Sequence, residues 1–324
     1  MRCRSCANPS TDAMSEFSTK IIHGRERLIL SLLLESDAPD AVEATPGVDS
    51  RIGPYVLLER LGEGRVGVAW RARQEQPFLR EVVLKLMKPG MDSRQDLALF
   101  SLERQALAAM DHPSIVALLD IGVTLDGRPY FVMEHAAGRS FAELAGETTI
   151  TWQEKLELFI QASLAVAHAH GRGIVHLDLQ PANIKVTQSE GRLLPKVINF
   201  GVARTLPRQW WGDLVPAHGP RPRLTSRFTS PEQLVDGSSP DQRSDVFALG
   251  GILHELLTGT KFPGSGSGPQ PSRDCQDLPA VLWDVIRQAT AQNPGERHAD
   301  INALLASLAP LAERTVSPAE DGSS

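Results

Sequence analysis

The alternation of apolar and polar residues predicts a run of strands in the first part of the chain. The predicted strands are Tyr55–Leu61, Val66–Ala72, Glu81–Met87, Ile115–Val123 and Arg128–Glu134. A glycine cluster follows the first of them, and the last two are joined at Asp126-Gly127, a dipeptide typical of tight turns. One helix interrupts the series, at Gln95–Met110. The pattern therefore indicates a β-rich first part.

After Gly138 the pattern changes to apolar residues at helical spacing. The predicted helices are Trp152–His170, Ser244–Leu257, Leu278–Gln292 and Ala299–Leu311. Two short strands, Ile184–Thr187 and Lys196–Ile198, flank a polar turn. Strands followed by helices predict two lobes, one β-rich and one α-helical, with a cleft between them.

Composition narrows the class of protein. The 324 residues are 41% hydrophobic and 22% charged, as in an ordinary globular domain, which excludes a collagen, a coiled-coil rod and a wholly disordered chain. A net charge of −6 supplies no bulk positive field, so we expect no nucleic-acid partner. The apolar run Leu28–Leu34 is too short to span a membrane. Three cysteines cannot build a disulfide framework, and we expect a cytoplasmic protein.

The two ends of the chain differ from its centre. Residues 1–50 predict a disordered tail, a short helix at Ile21–Leu34 and a linker, and residues 313–324 predict a second tail. Cys3 and Cys6 supply only two of the four ligands of a structural zinc site, which favours a flexible tail carrying two thiols. The predicted domain spans residues 51–312.

The first chemical motif is the glycine cluster Gly62, Gly64 and Gly67. Glycine allows backbone amides to approach a phosphate closely because no Cβ intervenes. The motif lies between two predicted strands, which argues against the dinucleotide-binding fingerprint, because that fingerprint joins a strand to a helix. Arg65, at the tip, is either a phosphate ligand or a solvated loop residue.

Further polar residues follow in a fixed order. Lys85 lies within an apolar strand and Glu103 on the next helix, and each alone would be a surface charge. Later come His176-Leu-Asp-Leu-Gln-Pro-Ala-Asn183, Asn199-Phe-Gly201, Ser230-Pro-Glu232, Asp245 and Arg297. In order and spacing these motifs resemble the protein kinase signature set, and most closely that of bacterial serine/threonine kinases of the eukaryotic type, over residues 53–310.

This resemblance implies an α+β, bilobal protein-kinase fold with a β-rich N-lobe at 51–137 and an α-helical C-lobe at 138–312. It also implies that ATP binds in the interlobe cleft. Met133 matches the gatekeeper, and Glu134–Ala136 match the hinge that bonds adenine. The implied ATP-binding residues are Leu61, Gly62, Gly64, Gly67, Ala69, Val83, Lys85, Glu103, Met133, Glu134, Ala136 and Lys185.

The resemblance also assigns roles in the second lobe. Asp178 matches the acceptor of the substrate hydroxyl proton, and Asn183 matches a magnesium ligand. Asp245 matches the buried residue that anchors the catalytic loop. Glu232 and Arg297 match a buried ion pair.

Four residues depart from the family pattern. Asn199 replaces the aspartate that holds magnesium, and a neutral amide is a poorer ligand for a hard cation. Gln180 replaces the lysine that neutralises the transferring phosphoryl group. Leu177 replaces an arginine that contacts the phosphorylated activation loop. Lys185 occupies the floor of the adenine site, where an apolar residue is usual. A magnesium site at Asn183 and Asn199 is therefore predicted to be weak or absent.

We expect a catalytically impaired kinase, a pseudokinase, that binds ATP weakly or without metal. Such a protein would act as a signalling scaffold or allosteric regulator of a protein partner. The alternative is an active or slow kinase in which Asp178 and Asn183 suffice for transfer to protein serine or threonine. A third possibility is a closed cleft with Lys185 directed into the adenine site. The tandem Trp210-Trp211 suits either a partner surface or packing on the second lobe.

Overall fold

The structure is a computed structural model that describes residues 46–91, 93–189, 191–200, 226–235, 238, 240–265 and 278–312. Five predicted features lie wholly or mostly outside these residues: the Cys3/Cys6 pair, the helix Ile21–Leu34, the tandem Trp210-Trp211, and the tails 1–50 and 313–324. The chain divides into two compact units: Met1–Asp111 with Ala117–His135, and His112–Val116 with Ala136–Ser324.

An antiparallel sheet of six strands dominates the first unit. The strands are β1 (Arg51–Ile52), β2 (Tyr55–Glu63), β3 (Gly67–Gln74), β4 (Arg80–Met87), β5 (Leu118–Val123) and β6 (Pro129–Glu134). Their order in the sheet is β1-β2-β3-β4-β6-β5. Alternate residues of β4 (Val82, Leu84 and Leu86) are fully or almost fully buried, so one face of this strand packs into the core.

Helix α1 (Arg94–Ala108) accompanies this sheet and matches the predicted helix within two residues at each end. It begins where the Ser93 side chain accepts a hydrogen bond from the backbone N–H of Asp96 at 3.1 Å. Phe100 is buried, and its ring lies 5.1 Å from that of Phe131 on β6. The helix therefore has a fixed position against the strands.

The second unit is mostly helical. Its helices are α2 (Phe141–Ala145), α3 (Trp152–Gly171), α4 (Pro231–Leu234), α5 (Gln242–Thr258), α6 (Ala280–Ala289) and α7 (Ile301–Ala312). A small antiparallel sheet contains β7 (Arg139–Ser140), β8 (Ile184–Ser189) and β9 (Arg192–Val197). Every residue of α5 from Ser244 to Leu257 is buried, which identifies it as the central core helix of this unit.

The structure corrects two predicted strand boundaries. The strand predicted at Lys196–Ile198 begins four residues earlier, at Arg192, within the predicted polar turn. The strand predicted at Ile115–Val123 begins only at Leu118. Ile115 instead forms a parallel bridge with Val197, whose backbone N–H donates to the Ser114 carbonyl at 2.8 Å. The apolar stretch is therefore divided between the two units, which alternation alone does not reveal. No helix in the described part of the chain is both long enough and apolar enough to cross a membrane.

Candidate functional site

The glycine cluster forms a tight hairpin between β2 and β3. Gly64 N–H donates to the Gly67 carbonyl at 2.8 Å, and Gly62 pairs with Ala69 across the strands. Space is open above Gly62, where an added Cβ would meet no atom within 4 Å. Leu61, just before it, is exposed. The loop can therefore present its backbone to a ligand.

Lys85 lies on β4, opposite Ala69 on β3, and forms an ion pair with Glu103 of α1. The Lys85 side chain is 14% exposed and that of Glu103 only 4%. Among the described residues, the second carboxylate oxygen of Glu103 has no hydrogen-bond partner. Val83 lies two residues before Lys85 and therefore shares its face of the sheet. Four of the predicted ATP-binding residues, Lys85, Glu103, Ala69 and Val83, thus lie close together in the first unit.

The residues matched to the gatekeeper and hinge follow on β6 and just after it. Met133 is buried opposite Val83. The Glu134 backbone N–H donates to the Ala117 carbonyl at 2.9 Å, so this amide is already engaged within the first unit. Ala136 is half-buried and belongs to the second unit.

The predicted catalytic loop follows α3 and is held by Asp245 of α5. The Asp245 carboxylate is fully buried and accepts the backbone N–H groups of His176 at 2.7 Å and Leu177 at 2.8 Å. The His170 ring lies 2.8 Å from the same carboxylate. Leu177 has a φ of 62°, a conformation that a branched residue rarely adopts, so these bonds fix an unusual backbone geometry.

Asp178, Asn183 and Asn199 come together next to this loop. The Asn183 side-chain amide donates to the Asp178 carbonyl at 2.8 Å and lies 3.4 Å from the Asp178 carboxylate. Burial raises the pKa of the Asp178 carboxyl above its ordinary value, against the opposing effects of His176 and of the Asn183 hydrogen bond. Asn199 donates through its side-chain amide to Asn183 Oδ1 at 2.9 Å. The two asparagines therefore form a chain of hydrogen bonds that ends at Asp178.

This chain of amides fits a resident magnesium ion poorly. Magnesium prefers carboxylate oxygens, whereas Asn183 and Asn199 offer neutral amide oxygens, and the Asn183 oxygen also accepts a hydrogen bond from Asn199. Asp178 provides the one carboxylate in the trio. In the described residues there is no group of three or more His, Cys, Asp or Glu side chains placed to hold a metal ion.

Two other residues that depart from the family pattern, Gln180 and Lys185, lie in different surroundings within the second unit. Gln180 is half-buried and precedes the 3₁₀ turn Pro181–Asn183, which its own carbonyl closes by accepting Asn183 N–H at 2.9 Å. Lys185 on β8 places its ammonium 4.0 Å from a carboxylate oxygen of Glu143 on α2. The Lys185 charge therefore has an acidic neighbour within its own unit.

The ion pair between Glu232 and Arg297 is present and buried. Arg297 donates from both terminal nitrogens to the two carboxylate oxygens, each at 2.8 Å, and Ser244 donates to the same carboxylate at 2.6 Å. Burial alone would raise the pKa of Glu232, but the hydrogen bonds from Arg297 and Ser244 outweigh it and lower this pKa to about 2. The pair fixes α4 to the segment before α7.

Three contacts at the site were not predicted from the sequence. They are the Asn199–Asn183 hydrogen bond, the Lys185–Glu143 approach and the donation from the Gln233 side chain to the Leu177 carbonyl at 2.8 Å. The second and third involve residues of helix capping boxes that are visible in the sequence, Ser140-Phe-Ala-Glu143 and Ser230-Pro-Glu-Gln233, whereas the first has no local signal.

Comparisons with known proteins agree with this arrangement. The family model "Protein kinase domain" matches residues 55–311. The chain is 31% identical over 287 residues to serine/threonine-protein kinase pkn3 of Myxococcus xanthus, covering 82% of this chain and 52% of that protein. It is 32% identical over 291 residues to serine/threonine-protein kinase PknB of Mycolicibacterium smegmatis, covering 82% and 45%. The chain thus spans about half the length of these two relatives.

Solved structures show the same fold. The PknI kinase domain of Mycobacterium tuberculosis superposes with a TM-score of 0.59 at 22% identity, covering 82% of this chain and 99% of that domain. The antiparallel sheet of the first unit and the helices of the second are the two parts of this α+β fold. On the motifs, the fold and these matches together, the chain belongs to the protein kinase family, and its relatives include bacterial serine/threonine kinases.

Proposed function

We propose that this chain is a kinase-family domain that binds ATP and transfers phosphate very slowly or not at all. It acts instead as a signalling scaffold or allosteric regulator of a protein partner. The observation that carries this proposal is the pair of hydrogen-bonded amides, Asn199 and Asn183, because neutral amide oxygens are poorer magnesium ligands than the carboxylate of the family pattern. We assign the function to residues 51–312 and propose the cytoplasm as its location.

The magnitude of the expected impairment follows from the two altered groups. Loss of one preorganised electrostatic group costs about 10²–10³ in rate. Asn199 and Gln180 represent two such losses, although groups that act as a unit do not add independently. Ordinary kinases turn over at about 1–100 s⁻¹, so the remaining rate would be too low for signalling by phosphorylation. A role through binding accounts better for the retained fold.

A second candidate function is an active serine/threonine kinase. The ion pair between Lys85 and Glu103 favours it, because this pair is required in catalysis by the family. The contact of Asp178 with Asn183 also favours it. In that case Asn199 would rotate its amide to present oxygen to a metal ion, at the expense of its hydrogen bond to Asn183.

Phosphotransfer with labelled ATP separates the two candidates. The purified chain is incubated with ATP and either magnesium or manganese, alone and with a generic basic protein as acceptor. We expect incorporation no higher than in Asp178→Ala, and a gain of at least tenfold in the double variant Asn199→Asp/Gln180→Lys. Strong incorporation by the unaltered chain that Asp178→Ala abolishes would establish the active kinase instead.

A further inference from the structure

Arg65 stands at the tip of the glycine hairpin, and its backbone position is fixed on both sides. The turn is closed by the Gly64–Gly67 hydrogen bond at 2.8 Å. The next residue, Val66, is buried, and its carbonyl accepts the Lys88 backbone N–H at 2.9 Å. Arg65 itself is exposed. A long cation is therefore presented from a well-anchored turn.

Among the described residues, the charges nearest Arg65 pair with one another. Glu63 is the acidic residue nearest the tip in the sequence, and its two carboxylate oxygens contact different cations: one pairs with Arg60 and the other with Lys88. Within the described residues, no ion pair or hydrogen bond engages the Arg65 side chain. Glu63 is thus shared by Arg60 and Lys88, so the charge of Arg65 at the tip is not balanced by this carboxylate.

The strand lysine lies beside the same hairpin. A Cβ at Gly67 would lie 3.5 Å from Lys85 Cε and 3.1 Å from the Leu86 carbonyl oxygen, so β4 packs directly under this glycine. Lys85 has three N–H donors, and Glu103 is its one ion-pair partner in the described part of the chain. The side chains of Arg65 and Lys85, which flank Gly67, therefore both have N–H donors available to an anionic ligand.

From this arrangement we infer that Arg65 binds the phosphates of a metal-free nucleotide. The inference rests on the proposed function, because it presumes that ATP binds at the glycine hairpin. A guanidinium presents a fork of N–H donors that matches phosphate oxygens and carries the charge that a weakly held magnesium ion does not supply. Arg65 is then a specificity residue that distinguishes the triphosphate from the bare nucleoside.

Nucleotide binding in EDTA tests this inference. Affinities for ATP, ADP and adenosine are measured by calorimetry for the unaltered chain, for Arg65→Ala and for Arg73→Ala. Arg73 is a suitable control because it is an exposed cation at the opposite end of β3, where it pairs with Glu75. We expect Arg65→Ala to weaken ATP binding about tenfold, ADP less and adenosine not at all, with Arg73→Ala unchanged.

The failure of this inference is distinguishable from failure of the proposed function. If the unaltered chain binds ATP and Arg65→Ala binds it equally well, the role of Arg65 is overturned and nucleotide binding stands. If Arg65→Ala weakens ATP and adenosine alike, or Arg73→Ala has the same effect, Arg65 is no phosphate ligand. If the unaltered chain binds neither ATP nor adenosine, with or without magnesium, both proposals fall.

Discussion

At the scale of single residues, the amide that Asn199 carries in place of a carboxylate changes the hydrogen bonds that this side chain can make. A carboxylate is an acceptor only, whereas an amide also donates. Asn199 uses that donor on Asn183 Oδ1 at 2.9 Å. Its backbone has a φ of 63°, a left-handed conformation that asparagine tolerates better than most residues. The amide thus suits both the backbone and the neighbouring oxygen.

The variant Asn199→Asp replaces the side-chain donor at this position with an acceptor. Its carboxylate faces Asn183 Oδ1 as a second acceptor, so in EDTA we expect a loss of about 1 kcal/mol and a melting temperature about 2–4 °C lower. The new carboxylate and the Asn183 oxygen would together hold a magnesium ion, so we expect addition of magnesium to restore the melting temperature of the variant. Thermal melts with EDTA and with magnesium measure both effects.

Asn199→Ala is the matched control for this substitution. It removes the same hydrogen bond without adding charge, so its melting temperature falls in EDTA and does not respond to magnesium. A magnesium-dependent increase in the unaltered chain as large as that in Asn199→Asp would contradict the idea that the amide pair excludes the cation.

The resemblance in motif order selected candidate site residues but not the hydrogen bonds between them. It selected both Lys85 and Glu103, and these two form an ion pair in the first unit. The Asn199–Asn183 bond was not identified, because it joins residues 16 positions apart through the orientation of an amide. Hydrogen-bond direction depends on side-chain rotamers that a sequence pattern does not encode.

At the scale of secondary-structure elements, the sequence pattern predicted the long helices and strands but not the shortest ones. The long helices and paired strands were confirmed within a few residues, because several apolar repeats define each of them. The two-residue strands β1 and β7 were missed, as was the five-residue helix α2, because none of these contains a full period. Tertiary contacts stabilise such short elements, and α2 illustrates how.

A buried lysine completes the C-terminal end of α2. Lys155 on α3 donates from its ammonium to the carbonyl oxygens of Glu147 at 2.8 Å and Ala145 at 3.3 Å. Burial lowers the pKa of this lysine, against the opposing charge of Glu147. Carbonyl groups at the C-terminal end of a helix lack hydrogen-bond donors within the helix, and here the Lys155 ammonium is their donor.

We expect Lys155→Met to lower the free energy of unfolding by about 2 kcal/mol, because two carbonyl oxygens lose their donor while the apolar stem is kept. Urea denaturation followed by circular dichroism measures this change. Glu157→Met, an exposed position of the same helix, serves as the control and should leave the midpoint unchanged. Equal midpoints for Lys155→Met and the unaltered chain would show that water replaces the ammonium.

At the scale of the whole molecule, stability depends on pH in two separate windows. The pKa of Glu232 falls to about 2 in the folded chain through Arg297 and Ser244, which outweigh burial. A carboxyl with a depressed pKa stabilises the fold above its ordinary value near 4.5. That contribution is lost as the pH falls from 4.5 towards 2. The Glu232–Arg297 pair therefore contributes to acid unfolding in this lower window, together with the other carboxyls whose pKa is lowered, such as Glu143, Glu154 and Asp241.

The upper window belongs to His254 and His298. Burial lowers the pKa of both rings below the ordinary value of 6.5, and within the described residues neither ring nitrogen of His298 has a hydrogen-bond partner. Below pH 6.5 the unfolded chain then binds more protons than the folded chain. The stability that these two neutral rings contribute is therefore fully present above pH 6.5 and is lost as the pH falls through their folded pKa values. Each extra proton gives a slope of about 1.4 kcal/mol per pH unit.

The double variant His254→Phe/His298→Leu removes both titrating groups from the core. We expect its free energy of unfolding, measured by urea denaturation at successive pH values, to change little between pH 6.5 and 5, where the unaltered chain loses stability. Phenylalanine suits position 254, because the histidine ring there packs against Phe262 and Trp283. Below pH 4.5 both proteins should lose stability in parallel, since each retains Glu232. An unchanged slope above pH 5 in the variant would assign that loss of stability to other groups.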